Sequence, residues 1–172
     1  MNTLKIVLIL LLLSWQVRAD VIPLGDINVM LEVTAQPRIE VEKPLGGWYN
    51  SIKLTNSSEN HALYQAEVPI TVKLRRHESY CVSVKQPLIL ARHSGVMYTQ
   101  VQKFSPAKIS WGTDHANMRP LSNKPETFST GKNTANQTST DYLLHISAHS
   151  PNGPDIAGKY HGQLTLLFET NS

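Results

Sequence analysis

A single cysteine, Cys81, serves the whole chain of 172 residues, so no disulfide can form within it and stability must come from buried apolar surface or from partners. Charge of one sign is equally scarce. The formal net charge is +3, and removal of Lys5 and Arg18 with a leader would lower Lys+Arg from 16 to 14 against 13 Asp+Glu, leaving +1. That balance gives no footprint for nucleic acid. Arg75-Arg76-His77 is the one tight basic cluster and reads as a solvated strand end. Helical periodicity is missing too, since no window sustains it over three turns. Catalytic constellations are absent: there is no Gly-x-Ser-x-Gly elbow, His-Glu-x-x-His helix, phosphate-cradling glycine loop or Cys-x-x-Cys pair, so the chain reads as non-enzymatic and without cofactor.

Long hydrophobic runs number one. It follows Lys5, covers residues 6–13, and leads to Val17-Arg18-Ala19, the small or modest residues a signal peptidase reads. Residues 1–19 are therefore expected to be a signal peptide cleaved after Ala19. The run is too short to span a bilayer as a helix, and no membrane insertion is expected. What remains fits one domain of ordinary size with a real core.

The seven histidines invite a metal hypothesis. His145 and His149 share a strand parity but lie about 13 Å apart at strand rise, too far to hold one ion together. Together with His161 they read as solvent-facing, and no metal site is expected. Cys81 would need nearby cations such as Arg75, Arg76 and Lys85 to become a nucleophile. A small apolar residue in a strand is the simpler account.

What is present is alternation. In Ile27-Asn28-Val29-Met30-Leu31-Glu32-Val33-Thr34-Ala35 the odd positions Ile27, Val29, Leu31 and Val33 are apolar and mostly β-branched, while Asn28, Glu32 and Thr34 are polar. An extended backbone puts the four apolar side chains on one face. No hairpin turn links this stretch to a partner, and Pro37 follows it. Such a strand exposes a row of unpaired backbone groups. It reads as a strand to be given to another chain; the alternative is an ordinary first strand paired at home through a long connection.

Further along, residues 39–42 and 48–54 alternate, the first followed by the turn Pro44-Leu45-Gly46-Gly47 and the second by Asn56-Ser57-Ser58-Glu59-Asn60. Val68, Ile70, Val72 and Leu74 share a face. Pro69, on the other parity, favours a sheet edge or a bulge there. Residues 80–84, 88–91, 96–104 and 109–111 are short apolar stretches of strand length. Residues 113–140 are polar, with Pro120 and Pro125, and predict long loops with little regular structure. Residues 142–148 and 160–168 close the chain as two strands around Ser150-Pro151-Asn152-Gly153-Pro154. In the last, Tyr160, Gly162, Leu164, Leu166 and Phe168 share one parity. Turn signals about every ten residues give the rhythm of a β-sandwich.

The order of these features, an alternating N-terminal strand after a signal peptide, a proline, a β-rich body, and Ala157-Gly158-Lys159-Tyr160-His161-Gly162-Gln163-Leu164-Thr165-Leu166-Leu167-Phe168 near the C-terminus, resembles the chaperone–usher pilus subunits of enteric bacteria. Within that group it is most like the cysteine-poor, alpha-type colonisation-factor fimbrial subunits. The likeness covers residues 27–37 and 158–168 and leaves 80–140 unplaced, and Cys81 departs from the pattern. What the resemblance implies is all-β: an incomplete immunoglobulin-like β-sandwich lacking its last strand, with a detached N-terminal donor strand. The implied domains are a signal peptide (1–19), a donor extension (20–37) and a pilin domain (38–172). Ile27, Val29, Leu31 and Val33 would be the donor face, and Tyr160, Leu164, Leu166 and Phe168 would line the acceptor groove. The implied partners are a periplasmic chaperone, an outer-membrane usher, other fimbrial subunits and a host receptor met through loops such as 123–140. The product would travel through the periplasm to the bacterial surface. The rival from another class is a self-contained exported β-sandwich that binds a ligand or inhibits an enzyme.

Overall fold

The computed structural model describes residues 26–33, 39–75, 79–92, 103–130, 137–153 and 156–170. The predicted signal peptide, Pro37 and most of the predicted strand 96–104 lie outside these residues. In chain order the strands are β1 (Asp26–Val33), β2 (Ile39–Glu42), β3 (Ile52–Lys53), β4 (Thr55–Asn56), β5 (Leu63–Arg75) and β6 (Ser79–Val84). They continue as β7 (Ala91–Arg92), β8 (Lys108–Gly112), β9 (Arg119–Leu121), β10 (Glu126–Ser129), β11 (Gln137–His149) and β12 (Tyr160–Thr170). A 3-10 turn at His115–Asn117 is the one helical element among the described residues.

Two sheets result. One runs β10-β6-β12-β1-β3 with β7 on the end of β12, and the other runs β2-β5-β11-β8-β9 with β4 beside β5. Both carry the period-two pattern that buries one face. Val68, Ile70, Val72 and Leu74 on β5, Leu144 and Ile146 on β11, and Leu164, Leu166 and Phe168 on β12 all point into one shared core. The centre of that core is aromatic. The Trp111 ring stacks on Tyr142 at 5.2 Å and meets Phe168 edge-on at 5.6 Å, while Tyr80 lies 6.1 Å from Phe168. The Trp111 indole N–H donates to the Tyr80 hydroxyl at 3.1 Å, so the buried polar tips satisfy each other. The chain is thus an all-β sandwich, as the alternation and turn spacing imply.

Pro69 shows how the sheet tolerates its missing donor. On one side β5 pairs with β11 throughout; on the other, β2 meets residues 71–74 and β4 meets residues 64–65. Pro69 falls in the gap between them, so β5 is internal in strand order but locally an edge at the proline. Pro120 likewise sits on β9, the outermost strand of its sheet.

Three expectations are corrected. Of the strand expected over 48–54, Ile52 and Lys53 form β3, and Trp48 and Tyr49 lie outside regular strand, because the chain here crosses from the sheet of β2 to that of β3. Of residues 88–91, Leu88 and Leu90 are buried outside regular strand, and Ala91 opens β7. The polar stretch 113–140 is far more regular than expected, holding the 3-10 turn, β9, β10 and the start of β11. Two isolated apolar residues explain it: Leu121 and Phe128 are both buried, and the Arg119 guanidinium lies 3.9 Å over the Phe128 ring.

Asp114 caps the 3-10 turn, accepting the backbone N–H of Ala116 at 2.9 Å and of Asn117 at 3.0 Å. Side-chain hydrogen bonds from Asn117, and then from Thr113 with the backbone donors, hold its carboxyl below the ordinary value of 3.8. A carboxylate with a lowered folded-state pKa stabilises above its unfolded value, and that contribution is lost as pH falls through the folded one. The protection factors of the Ala116 and Asn117 amides, that is, exchange corrected for its intrinsic pH dependence, should therefore be constant around neutral pH and fall only below the ordinary carboxylate range.

Candidate functional site

Because β12 carries the alternation from Tyr160 to Thr170, its apolar positions face the core and its backbone needs partners on both edges. One edge is taken by β6, with Leu166 opposite Val84 and Phe168 opposite Val82. The other is taken by β1. The pairing is parallel and in unbroken register, from Ile27 opposite Gly162 through Val29 opposite Leu164 and Leu31 opposite Leu166 to Val33 opposite Phe168. Ile27 is fully buried and Val29 is 6% exposed, while Asn28 and Met30 face solvent. Ile27 and Val29, two of the four apolar positions read from the sequence, enter the core.

The expectation of a detached strand is therefore corrected. In the isolated chain the segment occupies a slot of its own sheet between β12 and β3. The physical reason is proximity. An apolar slot beside β12 would leave backbone donors and core side chains open to water, and the nearest strand of the right period is tethered in the same molecule.

The other edge of β1 is lightly held. β3 contributes two pairs, Asp26 with Lys53 and Ile27 with Ile52. Beyond them the Trp48 indole N–H donates to the Val29 carbonyl at 3.2 Å. Trp48 meets the Tyr49 ring edge-on at 6.0 Å, and the Tyr49 hydroxyl donates to the Pro69 carbonyl at 2.9 Å, inside the gap along β5. Lys43 adds its ammonium 5.4 Å from the Tyr49 ring centre. Burial raises the Tyr49 phenol above its ordinary value, so it stays protonated and donating near neutral pH.

At the start of the slot Gly162 has a steric role. A Cβ there would stand 2.7 Å from Leu88 Cδ1, 2.9 Å from Leu90 Cδ2 and 3.1 Å from the Ile89 carbonyl oxygen. The space that a side chain would take on this inward position is filled by Leu88 and Leu90, which close this end of the core.

Of the residues expected to line the groove, Leu164, Leu166 and Phe168 stand at register positions facing β1, and all are fully buried. Tyr160 lies outside that register. It pairs with Arg92 of β7, packs edge-on to Phe104 at 5.0 Å, and donates its hydroxyl to the Ile156 carbonyl at 2.9 Å. Trp48 and Tyr49 are the site residues that sequence reasoning missed. The available signal was an aromatic pair just after Gly46-Gly47, both at positive φ.

Cys81 lies on β6 with its side chain on the outer parity, partly exposed and 3.4 Å from the Thr127 hydroxyl. His145 stands opposite Glu67 in the register of β11 with β5, His149 ends β11, and His161 lies on β12. Among the described residues no group of three or more His, Cys, Asp or Glu could hold a metal ion, and no helix is long and apolar enough to cross a membrane.

The chain is a two-sheet sandwich with its N-terminal strand lying against its C-terminal one. Among solved structures the chain is similar to the CooA pilin subunit from enterotoxigenic Escherichia coli, with a TM-score of 0.54 and 14% identity over 79% of this chain and 99% of that one. No family model and no curated protein matches the sequence.

Proposed function

We propose that this chain is a structural subunit, of the shaft or minor, of an adhesive surface fimbria, exported by a signal peptide and polymerising by donor-strand exchange. The observation that carries the reading is the slot beside β12, whose occupant is an N-terminal segment held by seven register pairs on one edge and two on the other. The pilin fold supports the same reading. The occupant need not come from the same chain. Burying Ile27 and Val29 contributes about 1.5–3 kcal/mol each, whichever molecule provides them.

Parallel pairing is slightly weaker per residue than antiparallel. A neighbour's strand entering in the opposite sense keeps the same period-two face, so the self-docked arrangement is the one exchange can displace. In the cell a periplasmic chaperone would hold the slot until an outer-membrane usher hands the subunit to the next. A chain that both offers a strand and receives one suits a shaft or internal position. Receptor contact, through loops within 123–140, would be secondary.

One observation favours a second reading. The home pairing of β1 is what a self-contained exported sandwich would show, and such a protein would bind or inhibit without assembling. Incubation of the mature chain at high concentration, followed by unboiled SDS gels, separates the two. Ladders of resistant multimers support exchange, whereas a monomer that never ladders, with or without chaperone and usher, supports the self-contained protein.

A further inference from the structure

We propose that Trp48 is a latch that keeps the slot occupied by the chain's own strand, so that breaking its bond to β1 is the step that frees the slot for a second copy. The inference rests on the exchange reading for its consequence, but its physical content concerns the monomer alone.

Past Ile27 no strand pairs with the outer edge of β1 among the described residues. There the Trp48 indole N–H reaches the Val29 carbonyl at 3.2 Å. The latch is anchored at its other end. Trp48 packs against Tyr49, whose hydroxyl is bonded to the Pro69 carbonyl on β5, in the opposite sheet. Pro69 lies where neither β2 nor β4 reaches, so Tyr49 is held by a strand edge that no other strand covers among the described residues. The dipeptide thus ties the one exchangeable strand to the most extensively paired one. Both rings are partly buried against the core, which fixes the indole direction without sealing it from solvent. Being a backbone contact at one residue, the bond selects the position of β1 along the slot as well as its presence; a strand running the other way presents its carbonyls differently and escapes it.

The test is amide hydrogen exchange on the mature monomer, comparing the natural chain with Trp48→Phe and with a chain carrying β-(3-benzothienyl)alanine at 48, which keeps the bicyclic ring and lacks the N–H. One net hydrogen bond is worth about a fivefold change in the opening equilibrium. Amides of residues 27–33 should therefore exchange about fivefold faster in both variants, with residues 68–74 of β5 and 140–146 of β11 unchanged. Unchanged exchange in β1, or acceleration in Trp48→Phe but not in the benzothienyl chain, would overturn the latch, since ring packing rather than the bond would then hold the strand. Ladder formation is scored separately. Faster exchange in β1 with no multimers from any chain leaves the latch standing and removes the polymerisation reading.

Discussion

Trp111→Ala is expected to lower the stability of the fold by about 3–5 kcal/mol, the range for truncating a fully buried tryptophan. Trp111 has no solvent exposure and joins the two sheets. It stacks on Tyr142 within its own sheet, touches Phe168 across the sandwich, and donates to the Tyr80 hydroxyl. Truncation opens a cavity and removes the donor that the Tyr80 oxygen accepts. Urea unfolding followed by circular dichroism reads the effect as a lower midpoint with an unchanged slope. A loss under about 1 kcal/mol would mean that the aromatic centre is not what holds the sheets together.

The second large effect is local. Ile27→Asp combined with Val29→Asp puts two carboxylates where the natural side chains are buried beside β12. Neither can ionise there without a partner, so the segment should leave the slot rather than bury the charges. The forfeited burial is about 1.5–3 kcal/mol for each side chain. The expected result is rapid protease cleavage within residues 20–37, binding of a hydrophobic dye to the vacated slot, and a lower melting temperature. Protection of residues 26–33 equal to that of the natural chain would contradict the pairing. Under the proposed exchange such a chain would retain a slot and have no strand to give, so added to the natural chain it should shorten any ladders.

Much of the fold was legible because one face of most strands is buried, and burial of one face writes a period of two into the residues. Residues 68–74 and 160–168 announced both their extended form and their inward parity, as did Ile27 and Val29 at the start of the chain's first strand. Other features left no such trace. Within 113–140, β9 and β10 each rest on one buried apolar residue, Leu121 and Phe128, too far apart to make a local period. Trp48 and Tyr49 fit an alternating pattern, yet act from outside a strand, and only the positions of Val29 and Pro69 in space reveal what they hold. The apolar face of the opening strand was readable, but its partner was not. Period-two patterning says which side chains must be covered, and a slot beside β12 satisfies that demand equally well from within the chain or from a neighbour.

The most direct measurement removes the segment and offers it back. A chain lacking residues 20–37, prepared alone, should be markedly less stable than the mature chain and should bind a synthetic peptide of residues 20–37 one to one, recovering stability with saturation seen by native mass spectrometry and calorimetry. A peptide carrying Ile27→Asp and Val29→Asp should fail to bind. If the shortened chain instead melts at the same temperature as the mature one and takes up no peptide, the sandwich is complete without its first strand, and the slot account is wrong.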